Sequence, residues 1–295
     1  MEQFPTGSTI VVGVDGSKAN REAVEWAVHE AAARRSKLLA LYAWHIPSLA
    51  YSSPGYVPIV ADEVNEEGRK LLRNEVLPLA QERGLEVELQ STEGLTPKVI
   101  REAAADEKVG LVVVGSRGRG ALARLVLGSV SHGLSHNCPK PLVIVPHHEK
   151  PAATEWPLRH VVVGIDGSEG SDAALRWAAA EADLHDAVLE VVMAWSWTTL
   201  PPGMILEEPF EESLARSAHQ VLHDALERLG HTDVKIKFTV QPGSGVDVLL
   251  DSSRTADLLV VGTRGHGRAH EMALGSTSHA CAHLSPIPVV VVPQG

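Results

Sequence analysis

Apolar residues in this chain come in short dense runs, and longer amphipathic stretches separate them. Thr9–Asp15 (TIVVGVD) is a Val- and Ile-rich run too short for most helices and closed by Asp-Gly-Ser, and it reads as a strand. Behind it Ala23, Trp26, Ala27 and Ala31 recur at helical spacing, with Ser17 placed to cap the helix start. Lys37–Trp44 reads as a second strand, and residues 61–83 as a helix whose path Pro78 bends. Leu85–Ser91 alternates like a third strand. Thr96-Pro97 marks another helix start, with a capping hydroxyl and a proline in the first turn. Val109–Val114 and Pro141–Val145 are dense enough for buried strands. Near-continuous apolar strands alternating with helices predict an α/β fold, a parallel sheet covered on both faces.

The whole pattern occurs twice. IVVGVDGSKANREAVEWA from Ile10 matches VVVGIDGSEGSDAALRWA from Val161, an offset of 151; LVVVGSRGRG from Leu111 matches LLVVGTRGHG from Leu258, an offset of 147. The loss of four residues between these anchors costs little in a surface loop. PHHEKPAATEWPLRH, from Pro146, is polar, Pro-rich and aperiodic, as a linker is, with a boundary near Ala153. Two domains are expected, 1–150 and 155–295, each near the common size of about 150 residues.

Composition narrows the function. The net charge of −11, with no basic run, argues against a nucleic-acid partner, because such binding depends on Lys and Arg displacing counterions from phosphates. Cys138 and Cys281 occupy non-equivalent places in the two copies, which suits a reducing compartment and inert buried thiols rather than a disulfide framework. The first residues lack the pattern of a signal peptide, and no apolar run nears the roughly 20 residues of a membrane span. A cytoplasmic protein without a membrane partner is the expectation.

The candidate chemistry lies in GSRGRGALARLVLGS, Gly115–Ser129, and its twin GTRGHGRAHEMALGS, Gly262–Ser276. In an open parallel sheet, ligands sit beyond the carboxyl ends of the strands where the strand order reverses. Asp15 ends the first strand there, and the glycine loop leaves the fourth. Gly115 and Gly118 let backbone amides approach a ligand with no Cβ in the way. Gly128-Ser129 opens a helix whose first amides are unpaired and partly positive. A phosphate chain fits, with Ser129 and Ser131 as further donors and Arg117 or Arg119 as charge. The Asp15 carboxylate repels phosphate and better suits ribose hydroxyls, an adenine edge or Mg²⁺. A plain tight turn explains one such loop equally well; the second copy, the serine at the helix start and the strand-end Asp weigh toward a nucleotide. A dinucleotide fingerprint is absent after the first strand, and no Lys precedes Ser129 as a P-loop requires.

The spacing G-x2-G-x9-G-S, as Gly115, Gly118, Gly128, Ser129 and again as Gly262, Gly265, Gly275, Ser276, resembles the universal stress protein family. VGVDGS at the first strand and the closing PKPLVIVP and PIPVVVVP fit the same family, and the resemblance covers essentially the whole chain. It implies two tandem Rossmann-like domains, each an open five-stranded parallel sheet in the order 3-2-1-4-5, of the ATP-binding branch. By position, Asp15 and Asp166 hold the adenosine end, the backbone at Ala43 and Ala194 meets adenine, and Val114 and Val261 line base or ribose. The phosphates, with or without Mg²⁺, fall to Gly115, Arg117, Gly118, Arg119, Gly128, Ser129, Val130 and Ser131. In the second copy they fall to Gly262, Arg264, Gly265, Gly275, Ser276, Thr277 and Ser278. The family further implies a homodimer, commonly through the last strand, and a regulator or sensor in stress response or dormancy with a protein partner. Two rivals stand: a slow ATPase, for which no residue positions water, and an interaction module without nucleotide.

The second loop has His266 for Arg119 and gains Glu271, so weaker phosphate binding is expected there. His132/His136 and His279/His283 sit four apart as helical metal pairs do, but lack a third ligand and read as packed or interface pairs. Trp26 and Trp177 read as core; Trp44, Trp195 and Trp197 as packing at the end of strand two. The Pro-rich loops Ile46–Pro58 and Ser196–Glu208 either cover an adenosine or form plain surface.

Overall fold

The Val and Ile runs become strands stacked side by side, and the amphipathic stretches become the helices that cover them. The protein is described by a computed structural model covering residues 7–45, 59–118, 127–147, 156–195, 210–263 and 274–294. It divides into two compact units, Met1–Ala152 and Ala153–Gly295. The first holds β1 (Thr9–Gly13), α1 (Lys18–Arg34), β2 (Lys37–Trp44), α2 (Ile59–Glu75), α3 (Leu77–Gln81), β3 (Val87–Glu93), α4 (Thr96–Ala104), β4 (Val109–Gly115), α5 (Ser129–Asn137) and β5 (Leu142–Val145). Its strands lie in the order β3-β2-β1-β4-β5, all parallel. The second repeats the plan with β6 (His160–Ile165), α6 (Glu169–His185), β7 (Val188–Trp195), α7 (Phe210–Leu229), β8 (Ile236–Pro242), α8 (Gly245–Ser253), β9 (Leu258–Gly262), α9 (Ser276–Leu284) and β10 (Val289–Val292). Its order is β8-β7-β6-β9-β10, again all parallel.

Each sheet is buried on both faces, so its inner strands need no polar alternation. Ile10, Leu38, Leu111 and Leu142 are fully buried in the first domain, Val161, Leu189 and Leu258 in the second. Each such side chain contributes about 1.5–3 kcal/mol of burial free energy. Trp26 and Trp177 are core residues, as their spacing predicts. Ser17 caps α1, its hydroxyl accepting from the Asn20 amide at 3.2 Å. The same helix ends at Arg35 in a left-handed conformation, φ 53°, and α6 ends likewise at Asp186, φ 51°, so carbonyls of the last turn are closed by the cap amides.

Two expectations need correction. Residues 61–83 form two helices rather than one bent helix: α2 stops at Glu75, and α3 begins anew with Pro78 in its first turn, where the missing amide is harmless. Thr96 is not a cap. The chain enters α4 through Leu95, in extended conformation and without a side-chain bond, so Thr96 is already helical. In the second domain Ser244 does cap α8, accepting from the Asp247 amide at 3.1 Å. The four-residue loss is also divided: β2 and β7 are offset by 151 residues, β3 and β8 by 149, β4 and β9 by 147. Residues 148–155 of the linker, Trp197, and the loops Ile46–Pro58 and Ser196–Glu208 lie outside the described residues. Among the described residues, no helix is long and apolar enough to cross a membrane.

Candidate functional site

In the first domain the strand order turns around between β1 and β4, since β1 leads outward to β2 and β4 leads the other way to β5. In an open parallel sheet such a reversal marks the place where ligands sit, beyond the carboxyl ends of those two strands. Asp15 and Gly115–Gly118 meet there: a Cβ built on Gly118 would lie 2.7 Å from Asp15 Oδ2. The strand-end carboxylate therefore rests against the glycine backbone. Asp15 Oδ1 accepts the Ser17 amide at 2.8 Å, which fixes the carboxylate's direction.

The glycine loop is pinned at both ends. The Gly128 amide donates to Ser116 O at 2.8 Å, and the Ser116 amide to Val145 O at 2.8 Å. The second domain closes its loop in the same way, Gly275 to Thr263 O at 2.6 Å. A Cβ on Gly115 would sit 3.2 Å from Arg117 O and 3.5 Å from Asn20 Cα; one on Gly128 would sit 3.2 Å from Ser116 O. These two glycines thus serve close packing of the chain on itself, and Gly118 serves the approach to Asp15.

Some helix starts carry a side-chain cap and others, α3 and α4 among them, do not. α1, α6 and α8 begin under a serine that accepts an amide of the first turn. α5 and α9, which follow the glycine loops, begin at Gly128 and Gly275, and no side chain caps them. Their first amides, at Ser129-Val130 and Ser276-Thr277, keep the partial positive charge that attracts an anion. Ser129 and Ser276 are exposed; Arg117 is half-buried, its Cα 3.5 Å from where a Cβ on Gly128 would stand.

Ser131 and Ser278 have a different place from the one the motif suggested. Both are buried, and their hydroxyls donate to loop carbonyls: Ser131 to Gly128 O at 3.0 Å and Ser116 O at 3.3 Å, Ser278 to Gly262 O at 2.5 Å. They hold the loop rather than face the crevice. Ala43 and Ala194 occupy the last turn of pleat in β2 and β7, paired with Thr92 and Gln241. Val114 and Val261 are almost wholly buried, with only the strand end above them. Asp166 repeats Asp15, its Oδ1 accepting the Ser168 amide at 3.0 Å and hydroxyl at 2.6 Å. Arg119, Arg264, Gly265, His266 and Glu271 lie outside the described residues.

Asn20 escaped the sequence reading. It is buried in the first turn of α1, its Nδ2 donating to Gly13 O at 2.9 Å and its Oδ1 accepting the Asp15 amide at 3.1 Å. The available signal was a polar residue on the same helical stripe as Ala23, Val24, Ala27 and Ala31. Nearby, His147 Nδ1 lies 3.0 Å from Glu22 Oε1, tying the segment after β5 to α1.

The rings of each histidine pair lie near one another at an angle, the first pair edge to face. The His132 and His136 rings are 4.6 Å apart, with His136 Nδ1–H donating to His132 O at 2.8 Å. His279 and His283 are 6.2 Å apart. Neither pair joins a third metal-capable side chain among the described residues. Burial pushes the Cys138 thiol up to about 11 and the Cys281 thiol up to about 12, so neither is a ready thiolate.

Residues 8–146 and 157–293 each match the model of the family described as Universal stress protein family. The chain is 32% identical to a universal stress protein of Mycolicibacterium smegmatis over 99% of both chains. It is 31% identical to one of Mycobacterium tuberculosis over 100% of this chain and 98% of that one. A universal stress protein from Archaeoglobus fulgidus, at 20% identity, shares the fold with a TM-score of 0.72, covering 99% of this chain and 100% of that one. The duplicated five-stranded sheet, the pinned glycine loops and these full-length matches agree: the chain belongs to the universal stress protein family, as a tandem member with two copies of its domain.

Proposed function

We propose that the protein binds a nucleotide, ATP, in the crevice between Asp15 and α5, and acts as a stress-response regulator rather than as a fast catalyst. The observation that carries this reading is the uncapped start of α5 beside a glycine loop whose Gly118 rests on Asp15. The residues present fit such a ligand. Amides at Ser129 and Val130, the Ser129 hydroxyl and the Arg117 guanidinium offer donors and charge to phosphates. The Asp15 carboxylate, on the far side of Gly118, offers acceptors to ribose hydroxyls or the exocyclic amine of adenine. Ser131 supports the site indirectly by holding Gly128. Bound nucleotide would change a surface that a partner or second subunit reads.

Denaturing freshly purified protein and identifying the released small molecules by mass spectrometry tests the reading. ATP retained in stoichiometric amount, or micromolar binding of added ATP with or without Mg²⁺, is the expected result. Protein that releases no nucleotide and binds none on titration refutes it.

A further inference from the structure

The two crevices differ in a way the glycine spacing does not reveal. α1 begins with Ala19-Asn20 in its first turn, and α6 has Gly170-Ser171 at the equivalent positions. The Asn20 side chain spans the turn that carries Asp15, reaching Gly13 O with its Nδ2 and the Asp15 amide with its Oδ1. Its orientation is forced, since a carbonyl only accepts and a backbone amide only donates. The clamp holds the turn in the geometry that sets Asp15 against Gly118. A serine is too short to span the same gap. The Ser171 hydroxyl instead turns back to Ser168 O at 2.9 Å.

The approach of the helix to the strand end differs too. The nearest atom of α1 to a Cβ built on Gly115 would be Asn20 Cα, at 3.5 Å. A Cβ on Gly262 would lie 2.5 Å from Gly170 O and 2.7 Å from Gly170 C. The first turn of α6 therefore packs more closely on the end of β9 than the first turn of α1 packs on the end of β4. Two independent observations, the clamp and the spacing, separate the domains in the same direction.

We propose that Asn20 is a positioning residue that makes the first domain the tight site for a nucleoside polyphosphate, and that Gly170-Ser171 leave the second domain a weak one. The inference rests on the nucleotide reading above. Asn20 acts through Asp15 and the spacing of α1 and needs no contact with the ligand.

The test uses the full chain, labelled with azido-ATP, digested, and assigned by mass spectrometry to peptides of each domain. Wild-type labelling concentrates in first-domain peptides. Asn20→Ser, which installs the residue the second domain already tolerates there, lowers first-domain affinity about tenfold through loss of the paired hydrogen bonds. Ser171→Asn raises second-domain labelling, a gain that a merely structural asparagine does not produce. Asn20→Asp, which sets an oxygen against Gly13 O, fails to restore binding. Circular dichroism and thermal melts establish that each variant is folded. Equal labelling of both domains in the wild type, or first-domain affinity changed by less than about twofold in folded Asn20→Ser, overturns the role of Asn20 and leaves the nucleotide reading standing. A folded Ser171→Asn protein without any gain overturns the assignment of the difference to these positions. No ATP-displaceable label in either domain overturns both the reading and the inference built on it.

Discussion

Alanine at Gly262 and at Gly115 is the same substitution at equivalent positions, yet the structure predicts unequal effects. Neither glycine has a left-handed backbone, so conformational strain does not enter. At Gly262 the new methyl would meet Gly170 O at 2.5 Å, Gly170 C at 2.7 Å and Ser171 N at 3.2 Å. Real Cβ atoms essentially never come within 3.0 Å of such atoms, so the first turn of α6 must retreat by at least half an ångström. All three neighbours are backbone, and none can rotate away. Overpacking of a tight interior costs about 1–3 kcal/mol, and a rigid backbone contact belongs at the upper end, about 3 kcal/mol. At Gly115 the closest atoms are Arg117 O at 3.2 Å and Asn20 Cα at 3.5 Å, so a shift of a few tenths of an ångström suffices. That change costs below about 1 kcal/mol. For domains of this size the difference of about 2 kcal/mol amounts to about 4–8 °C in melting temperature. Hydrogen exchange on the full chain locates the loss: Gly262→Ala should open β9 and α6 peptides selectively, while Gly115→Ala leaves β4 and α1 nearly protected. A Gly115→Ala protein destabilised as much as Gly262→Ala would refute the spacing argument.

Other consequences can be checked separately. Gly118→Ala brings a methyl to 2.7 Å from Asp15 Oδ2, and turning the carboxylate away strains its bond from the Ser17 amide, so stability falls by about 1 kcal/mol while ATP affinity falls about tenfold. Calorimetric titration beside a thermal melt separates the two, and unaltered affinity counts against Asp15 as a ligand group. Glu190 on β7 is buried where the first domain has Leu39, and it receives Thr239 Oγ1 at 2.5 Å, Lys237 Nζ at 3.0 Å and His160 Nε2 at 2.9 Å. Burial pushes its carboxyl up, but the hydrogen bonds from Thr239 and Lys237, with the charges of Lys237 and His160, prevail and hold it below the ordinary range. Its folded value is lower than the unfolded one, so its contribution is present above about pH 4.3 and lost as pH falls through the folded value. Glu190→Leu should therefore flatten the acid limb of stability against pH, and an unchanged slope between pH 3 and 6 would contradict the assignment. Cys138 and Cys281, with thiols raised to about 11 and about 12, should resist iodoacetamide at pH 8 until the chain is unfolded. Rapid native alkylation of either would contradict its raised value.

The amino-acid pattern alone determined the α/β fold class and its duplication. Both sheets are covered on both faces, so each inner strand is an apolar run that stands out from its polar surroundings, and Lys37–Trp44 was readable to the residue. Ser17 declared itself as a cap because capping is local, decided within four residues. The duplication and the glycine spacing pointed to one crevice per domain, since connections in a parallel α/β fold leave few alternatives. What required tertiary structure was every distance between parts of the chain far apart in sequence. Ser131 and Ser278 looked like ligand donors until packing turned their hydroxyls onto Gly128 O and Gly262 O. Asn20 looked like one more polar helix residue, because its partners Gly13 O and Asp15 N lie across a turn whose shape no local rule specifies. Gly115 and Gly262 are identical in the sequence motif. Only the packing of α1 and α6 onto β4 and β9 makes one of them tolerant and the other crowded, because that spacing depends on which side chain stands in the first turn of a helix nearly a hundred residues away.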